Sequence, residues 1–211
     1  MLNKWLGQSD YRSTLELQRK TREEVESGKI KETIFLTEHN PVYTLGRHGK
    51  ESNLLLLPDD VECIRIERGG DITYHAPGQL VVYPIINLWK RKLGVKDYVS
   101  LLEQWVIDLL SEYDIKGERS EGAPGVWLDV GTPSERKICA LGVTVRRGVT
   151  MHGYALNGNI DLRGFTNINP CGFIDKGVTS IAQELSHPVN MRELAERAIA
   201  LCPFSDSSVI S

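Results

Sequence analysis

No apolar run in the 211-residue sequence approaches the ~18 residues of a membrane span, and positive charge is not in excess. Lys and Arg number 25 against 28 Asp and Glu, a net charge of −3. The first shortage argues against a membrane protein. The second argues against a general nucleic-acid binder, which is distinctly basic as a rule, so any basic docking surface must be local. Residues 1–30 alternate charges with single apolar residues and carry no apolar block of the kind a secretory leader needs. Cysteine is also sparse. Cys63, Cys139, Cys171 and Cys202 lie far apart, none in the C-x-x-C spacing of a zinc knuckle or dithiol redox site. Free thiols in a reducing cytoplasm are the simplest reading. The five histidines show no paired ligand spacing, so no metal is expected. Repeats, low-complexity blocks and linkers are missing, and 41% of residues are hydrophobic. One soluble globular domain over residues 1–211 is expected.

What is there has a mixed rhythm. Asp10 to Ser27 spaces Tyr11, Leu15, Gln18, Arg22 and Val25 by three and four residues, which predicts an amphipathic helix capped by Ser9 and ended by Gly28. TIFLTE (33–38), VECIRIE (61–67) and LVVYPI (80–85) read as strands, the proline favouring an edge or a strand end for the last. RGGDITYHAPGQ, residues 68–79, reads as a glycine-rich loop between two of them. Lys96 to Tyr113 is a helix with Val99, Leu102, Val106, Leu109 and Leu110 on its apolar stripe. GVWLDV, a turn at 131–134 and KICALGVTV suggest a hairpin, HGYALNGNID continues the β pattern, and a last helix covers about 190–201. Strands and helices are interspersed without a regular β-α-β beat. An α+β fold is expected, with a mixed, largely antiparallel sheet flanked by helices.

The chemistry concentrates in three stretches. In NINPCGF, Cys171 sits between a proline that stiffens the chain and a glycine that lets a ligand approach the backbone, a setting that suits either a nucleophile or a space-filling turn. Cys63 and Cys139 fall inside strands and Cys202 ends a helix, all better placed as filler. A reactive thiol needs a cation or base beside it, because its ordinary pKa near 8.5 leaves it protonated. Lys137, Arg146, Arg147, His75 and His152 are the candidates. Lys137 opens KICALGVTV, where regular alternation would put it on one face with Cys139, Leu141 and Val143. Its stem could equally snorkel to solvent. The glycines of residues 68–79 permit close approach to a ligand, with Thr73, Tyr74 and His75 beside them. That stretch is neither a G-x-x-x-x-G-K-[ST] phosphate loop nor a G-x-G-x-x-G fingerprint.

Taken in order, RGGDITYHAPGQLVVYPI, GAPGVWL, KICALGV, HGYALN and INPCG resemble the lipoyl(octanoyl) transferases, over roughly Arg47 to Leu185. The resemblance implies the catalytic-domain fold of biotin and lipoate protein ligases. It also implies an ATP-independent acyltransferase that needs no cofactor and moves octanoate from acyl carrier protein, through a cysteine thioester, to a lysine of a lipoyl domain. Acceptors would be the lipoyl domains of 2-oxoacid dehydrogenase E2 subunits and the glycine cleavage H protein. It implies Cys171 as nucleophile and Lys137 as its partner. Arg68, Gly69, Gly70, Asp71, Ile72, Thr73, Tyr74, His75, Ala140, Leu141, Gly142, Gly153, Tyr154 and Ala155 would line the substrate site. Asp71 stands where glutamine is usual and Ala76 where glycine is commoner before Pro-Gly-Gln, which bears on the local shape of that loop. Lys90, Arg91, Lys92 and Lys96, or Arg146 and Arg147, could supply a basic rim for acidic protein substrates. An ATP-dependent ligase on the same fold and a non-catalytic acyl- or carrier-binding module are the alternatives. Neither requires the cysteine and lysine.

Overall fold

Leu2–Ser9 is a strand, β1, although its side chains are exposed or half-buried and no apolar alternation marks it. The computed structural model describes residues 1–169 and 177–205. β1 runs parallel to β2 (Thr33–His39), with Leu2 opposite Thr33 and Ser9 opposite His39. Parallel neighbours need a long crossover, and α1 (Tyr11–Glu26) supplies it. Asp10 caps α1, its carboxylate accepting the Ser13 N–H at 2.8 Å. The expected cap, Ser9, belongs to β1 instead, and its hydroxyl is engaged with Thr37 at 2.7 Å and Thr14 at 2.9 Å. Tyr11, Leu15, Gln18, Arg22 and Val25 form the buried stripe of α1.

The main sheet continues from β2 through β6 (Gln79–Ile85), β10 (Val149–Asn157), β9 (Arg136–Arg146), β8 (Ala123–Leu128) and β7 (Glu118–Ser120), each pairing in that order being antiparallel. β11 (Gly177–Val178) adds a short parallel pairing to β9. LVVYPI is therefore a central strand, not an edge. Its proline is tolerated because β10 pairs with β6 only between Gln79 and Val82. Past that point the Thr150 hydroxyl stands in for the ladder, donating to Pro84 O at 2.6 Å and accepting the Ile86 N–H at 3.0 Å.

A second, three-stranded sheet has β3 (Val42–Leu45) at its centre, β4 (Glu62–Arg65) parallel on one side and β5 (Ile72–His75) antiparallel on the other. The stretch 68–79 is thus not a continuous loop. Ile72 is buried with Tyr43, Leu45 and Ile168, and that burial draws its centre into a strand.

Side chains alternating on β6 build two cores. Leu80 and Val82 face α2 (Val95–Ser111) and α4 (Met191–Ala200), packing with Leu102, Trp105, Val106, Leu194 and Phe204. Val81, Tyr83 and Ile85 face α1, with Tyr11, Leu15 and Val25. Each fully buried side chain of this size stabilises the fold by about 1.5–3 kcal/mol relative to exposure. Trp105 also donates its indole N–H to Ala198 O at 2.6 Å, which ties α2 to α4.

Candidate active site

A cavity of about 910 Å³ opens between the two sheets. One wall is the start of residues 68–79, where Gly69 N–H donates to Val143 O at 3.0 Å, laying that loop across β9. Gly142 makes this possible. A Cβ there would stand 3.0 Å from both Arg68 Cδ and Gly69 O, tighter than ordinary contact. The loop carries Gly70 at φ +80, a conformation that costs glycine little. Asp71 is nearly buried, with Oδ1 accepting the Ile72 N–H at 2.7 Å and Oδ2 accepting from Asn53 Nδ2 at 2.5 Å. The carboxylate braces the loop against residues 51–53. Ala76 starts the turn that follows, its carbonyl accepting the Gln79 N–H at 3.2 Å.

Arg68 is 8% exposed and spans from the loop to β3, with Nη2 donating to Thr44 O at 2.7 Å and Thr44 Oγ1 at 2.9 Å. Thr44 in turn lies 3.4 Å from His75 Nε2. His75 Nδ1 donates to Gln79 Oε1 at 2.7 Å, Gln79 Nε2 to Asn157 Oδ1 at 2.9 Å, and Asn157 Nδ2 to Thr179 O at 2.8 Å. Thr179 N–H then donates to Lys137 O at 2.9 Å. A polar chain therefore joins the loop, β5, β6, β10 and the backbone of Lys137. Burial pushes the His75 pKa down to about 3, so the imidazole in this chain is neutral.

Lys137 does not share a face with Cys139. Val126 pairs with Cys139 but Trp127 with Lys137, so Ile138 is an extra residue on β9. Such a bulge re-aims the side chains on either side of it. Ile138 and Cys139 both enter the core toward α2. Lys137 lines the cavity, with Nζ 4.4 Å from the centre of the Trp127 ring and 3.4 Å from Pro124 O. Among the described thiols, burial pushes the pKa values of Cys63, Cys139 and Cys202 upward, which favours their protonated form. Cys171 lies outside the described residues. The chain enters that segment from Asn169 and leaves it at Gly177, and both of these residues line the cavity. Val178, next along β11, pairs directly with Lys137.

All the residues named above as substrate-lining reach the cavity wall except Tyr74. Its ring packs instead against Tyr43, tilted with centroids 4.9 Å apart, and edge-on to Phe165 at 5.6 Å. The structure adds Tyr11, Tyr83, Trp127 and His152 to the wall. Trp127 required the β8–β9 register, and Tyr11 and Tyr83 required knowing which face of the sheet α1 covers. His152 had a visible signal, since it opens HGYALN.

The basic clusters divide. Arg91 is spent on Glu32 at 2.5 Å and Phe204 O at 2.9 Å, and Arg147 pairs with Glu26 at 2.9 Å. Lys90, Lys92, Lys96 and Arg146 are exposed.

Residues 10–201 match the lipoyl protein ligase A/B catalytic domain family. The chain belongs to that family. An octanoyltransferase of Bacteroides thetaiotaomicron is 52% identical over 198 residues, 92% of this chain and 85% of the relative. One from Flavobacterium psychrophilum is 46% identical, covering 92% of this chain and 91% of its own length. Among solved structures, a bipartite lipoate protein ligase from Thermoplasma acidophilum superposes with a TM-score of 0.71 at 15% identity, over 96% of this chain and 81% of that one. A biotin protein ligase from Aquifex aeolicus gives 0.52 at 12%, over 96% and 67%. The fold is that of the lipoate and biotin ligase catalytic domains. No described helix is long and apolar enough to cross a membrane.

Proposed function

We propose that this protein transfers an octanoyl group from octanoyl-acyl carrier protein to the lysine amine of lipoyl domains, by way of a thioester on Cys171. The coarse assignment, an acyltransferase, rests on relatives named octanoyltransferase that share about half their residues with this chain over most of its length. The observation that carries the finer reading is the placing of Lys137. It lines the same cavity as Asn169 and Gly177, the residues on either side of the segment that holds Cys171.

In this reading the Cys171 thiolate attacks the carbonyl carbon of the carrier's thioester. The bond to the phosphopantetheine sulfur breaks as the new thioester forms, and the Lys137 ammonium gives its proton to the departing sulfur, so the carrier leaves as its thiol and Lys137 is left neutral. One thioester replaces another, so the step is near balance and uses no ATP. The acceptor lysine, with an unperturbed pKa near 10.4, arrives protonated. Lys137 takes a proton from the amine, which attacks the Cys171 thioester; an amide forms and the thiol is released. The cavity residues of the loop, of β9 and of β10 hold the acyl chain. Acceptors are the lipoyl domains of 2-oxoacid dehydrogenase E2 subunits and the glycine cleavage H protein. The need for a free thiol places the reaction in a reducing compartment, the cytoplasm.

The test is incubation with octanoyl-acyl carrier protein without ATP, followed by intact mass. Wild type gains one octanoyl group and Cys171→Ser gains none. Acylation that appears only with ATP would replace this reading with that of a ligase, the activity of several structures that share the fold.

A further inference from the structure

His152 lines the cavity and is 2% exposed, yet neither of its ring nitrogens has a hydrogen-bond partner. Its neighbours differ. His39 is satisfied by Ser9 O at 3.1 Å and the Tyr83 hydroxyl at 2.7 Å, and His75 by Gln79 and Thr44. The His152 backbone is left-handed, φ +60, a conformation that a small minority of non-glycine residues take and in which histidine, like asparagine and aspartate, is enriched. Its N–H is fastened to Gln18 Oε1 of α1 at 2.9 Å. That twist breaks the alternation of β10. In a regular strand His152 would share a face with Tyr154, which packs in the core toward α2. Instead its ring lies edge-on to Tyr83, 6.5 Å away, on the α1 side. The chain turns an imidazole into the cavity and leaves its hydrogen-bonding capacity unused.

The strand register places His152 along the cavity. His152 stands opposite Val143 and Leu156 opposite Cys139, so the two rungs are about 13 Å apart at a strand rise of ~3.3 Å per residue. Lys137 lies beyond Cys139, but its side chain runs back along the sheet, with Nζ 3.4 Å from Pro124 O beside Gly125, which stands opposite Ala140, three residues or ~10 Å from the His152 rung. An extended eight-carbon chain spans roughly 9 Å. With its carbonyl near Lys137 it reaches toward His152 with its far end. A plain methyl terminus would leave both imidazole nitrogens desolvated and unpaired.

We infer that His152 recognises a hydrogen-bonding group at the far end of the acyl chain, so that the cavity accepts medium-chain acyl groups ending in a hydroxyl as well as the plain alkyl chain. The inference rests on the octanoyl reading above. Burial lowers the His152 pKa to about 3, so the ring is neutral. It then offers one N–H donor and one lone pair, which match the acceptor and donor of an alcohol.

The test needs no transfer reaction. Octanoate and 8-hydroxyoctanoate are titrated calorimetrically into the wild-type protein, His152→Phe and His152→Asn. Wild type binds the hydroxy acid within about threefold of octanoate, whereas a cavity end without a polar partner would reject it. In His152→Phe the ratio of the two dissociation constants shifts against the hydroxy acid by at least ~10-fold. His152→Asn, which keeps a donor and an acceptor and tolerates the left-handed backbone, recovers most of the loss. The inference is overturned if wild type binds octanoate but takes the hydroxy acid more than ~100-fold less well. It is equally overturned if a folded His152→Phe leaves the ratio unchanged, or if wild type binds neither acid. Octanoyl transfer to a lipoyl domain is assayed separately, so a failure of the transferase reading is told apart from a failure of this one.

Discussion

Lys137 and Trp127 face each other across β9 and β8, with the ammonium 4.4 Å above the indole ring. The extra residue Ile138 makes this pairing. Lys137→Met should reduce acylation from octanoyl-acyl carrier protein by ~100-fold or more, in keeping with the loss of a proton-transferring group. Trp127→Leu should cost roughly 3- to 30-fold, the worth of a partly desolvated cation–π contact. Rapid-quench acylation assays read both, and a Lys137→Met rate equal to wild type would remove the lysine from the mechanism.

Thiol labelling should separate Cys171 from the rest. Burial raises the pKa of Cys139 and Cys202, which lie in the core, and of the half-buried Cys63. In native protein near pH 7.5, a disulfide reagent should label one thiol fast. Cys171→Ser should abolish that phase, and Cys139 and Cys202 should react only after denaturant is added. A fast phase that survives Cys171→Ser would contradict this.

Acid should unfold the protein through its histidines. His39, His75 and His152 have pKa values lowered by burial to about 4, 3 and 3. In the unfolded chain each binds a proton below about pH 6.5, while in the folded chain it does not. Their contribution is therefore complete above pH 6.5 and is lost as pH falls toward their folded values. The loss is about 1.4 kcal/mol per histidine for each pH unit. Three together outrun an ordinary folding stability, so cooperative unfolding is expected between about pH 6 and 4. Circular dichroism across that range checks it, and a protein still folded at pH 3 would refute the burial of these rings.

Thr150→Val removes the hydroxyl that replaces ladder bonds beside Pro84 and leaves the buried Ile86 N–H without a partner. The expected cost is about 1–3 kcal/mol. It should appear in urea unfolding as a lower midpoint with an unchanged slope.

The exposed lysines before α2 should matter at low salt. Lys90→Glu with Lys92→Glu is expected to raise KM for acyl carrier protein several-fold near 20 mM salt, an effect that fades as ionic strength shortens the screening length. Arg91→Glu behaves differently, because Arg91 is held by Glu32 and Phe204. It should lower the melting temperature. No salt-dependent change in the lysine pair would rule out this patch as a docking rim.

Local pattern was enough for much of the molecule. The three- and four-residue spacing of α1 and α2, the last helix before the Cys202-Pro203 break, the β-rich runs of β2, β6 and the β8–β9 hairpin, and the family motifs were all legible. In the helices α1 and α2, the burial of a side chain follows the period of its own segment. Tertiary structure decided the rest. β1 is recognisable only by its partner β2, because its own side chains stay largely exposed. β5 became a strand because Ile72 is buried by residues distant in sequence. A single unpaired residue, Ile138, moved Lys137 from the face of Cys139 to that of Trp127, since a slip of one residue reverses every side chain beyond it. The left-handed turn at His152 did the same for β10. The sequence by itself determined the family motifs and most of the helices and strands that hold them. Which way the residues of those motifs point, and what they meet, was decided by strand register and backbone twist, and these depend on contacts between segments that no local period encodes.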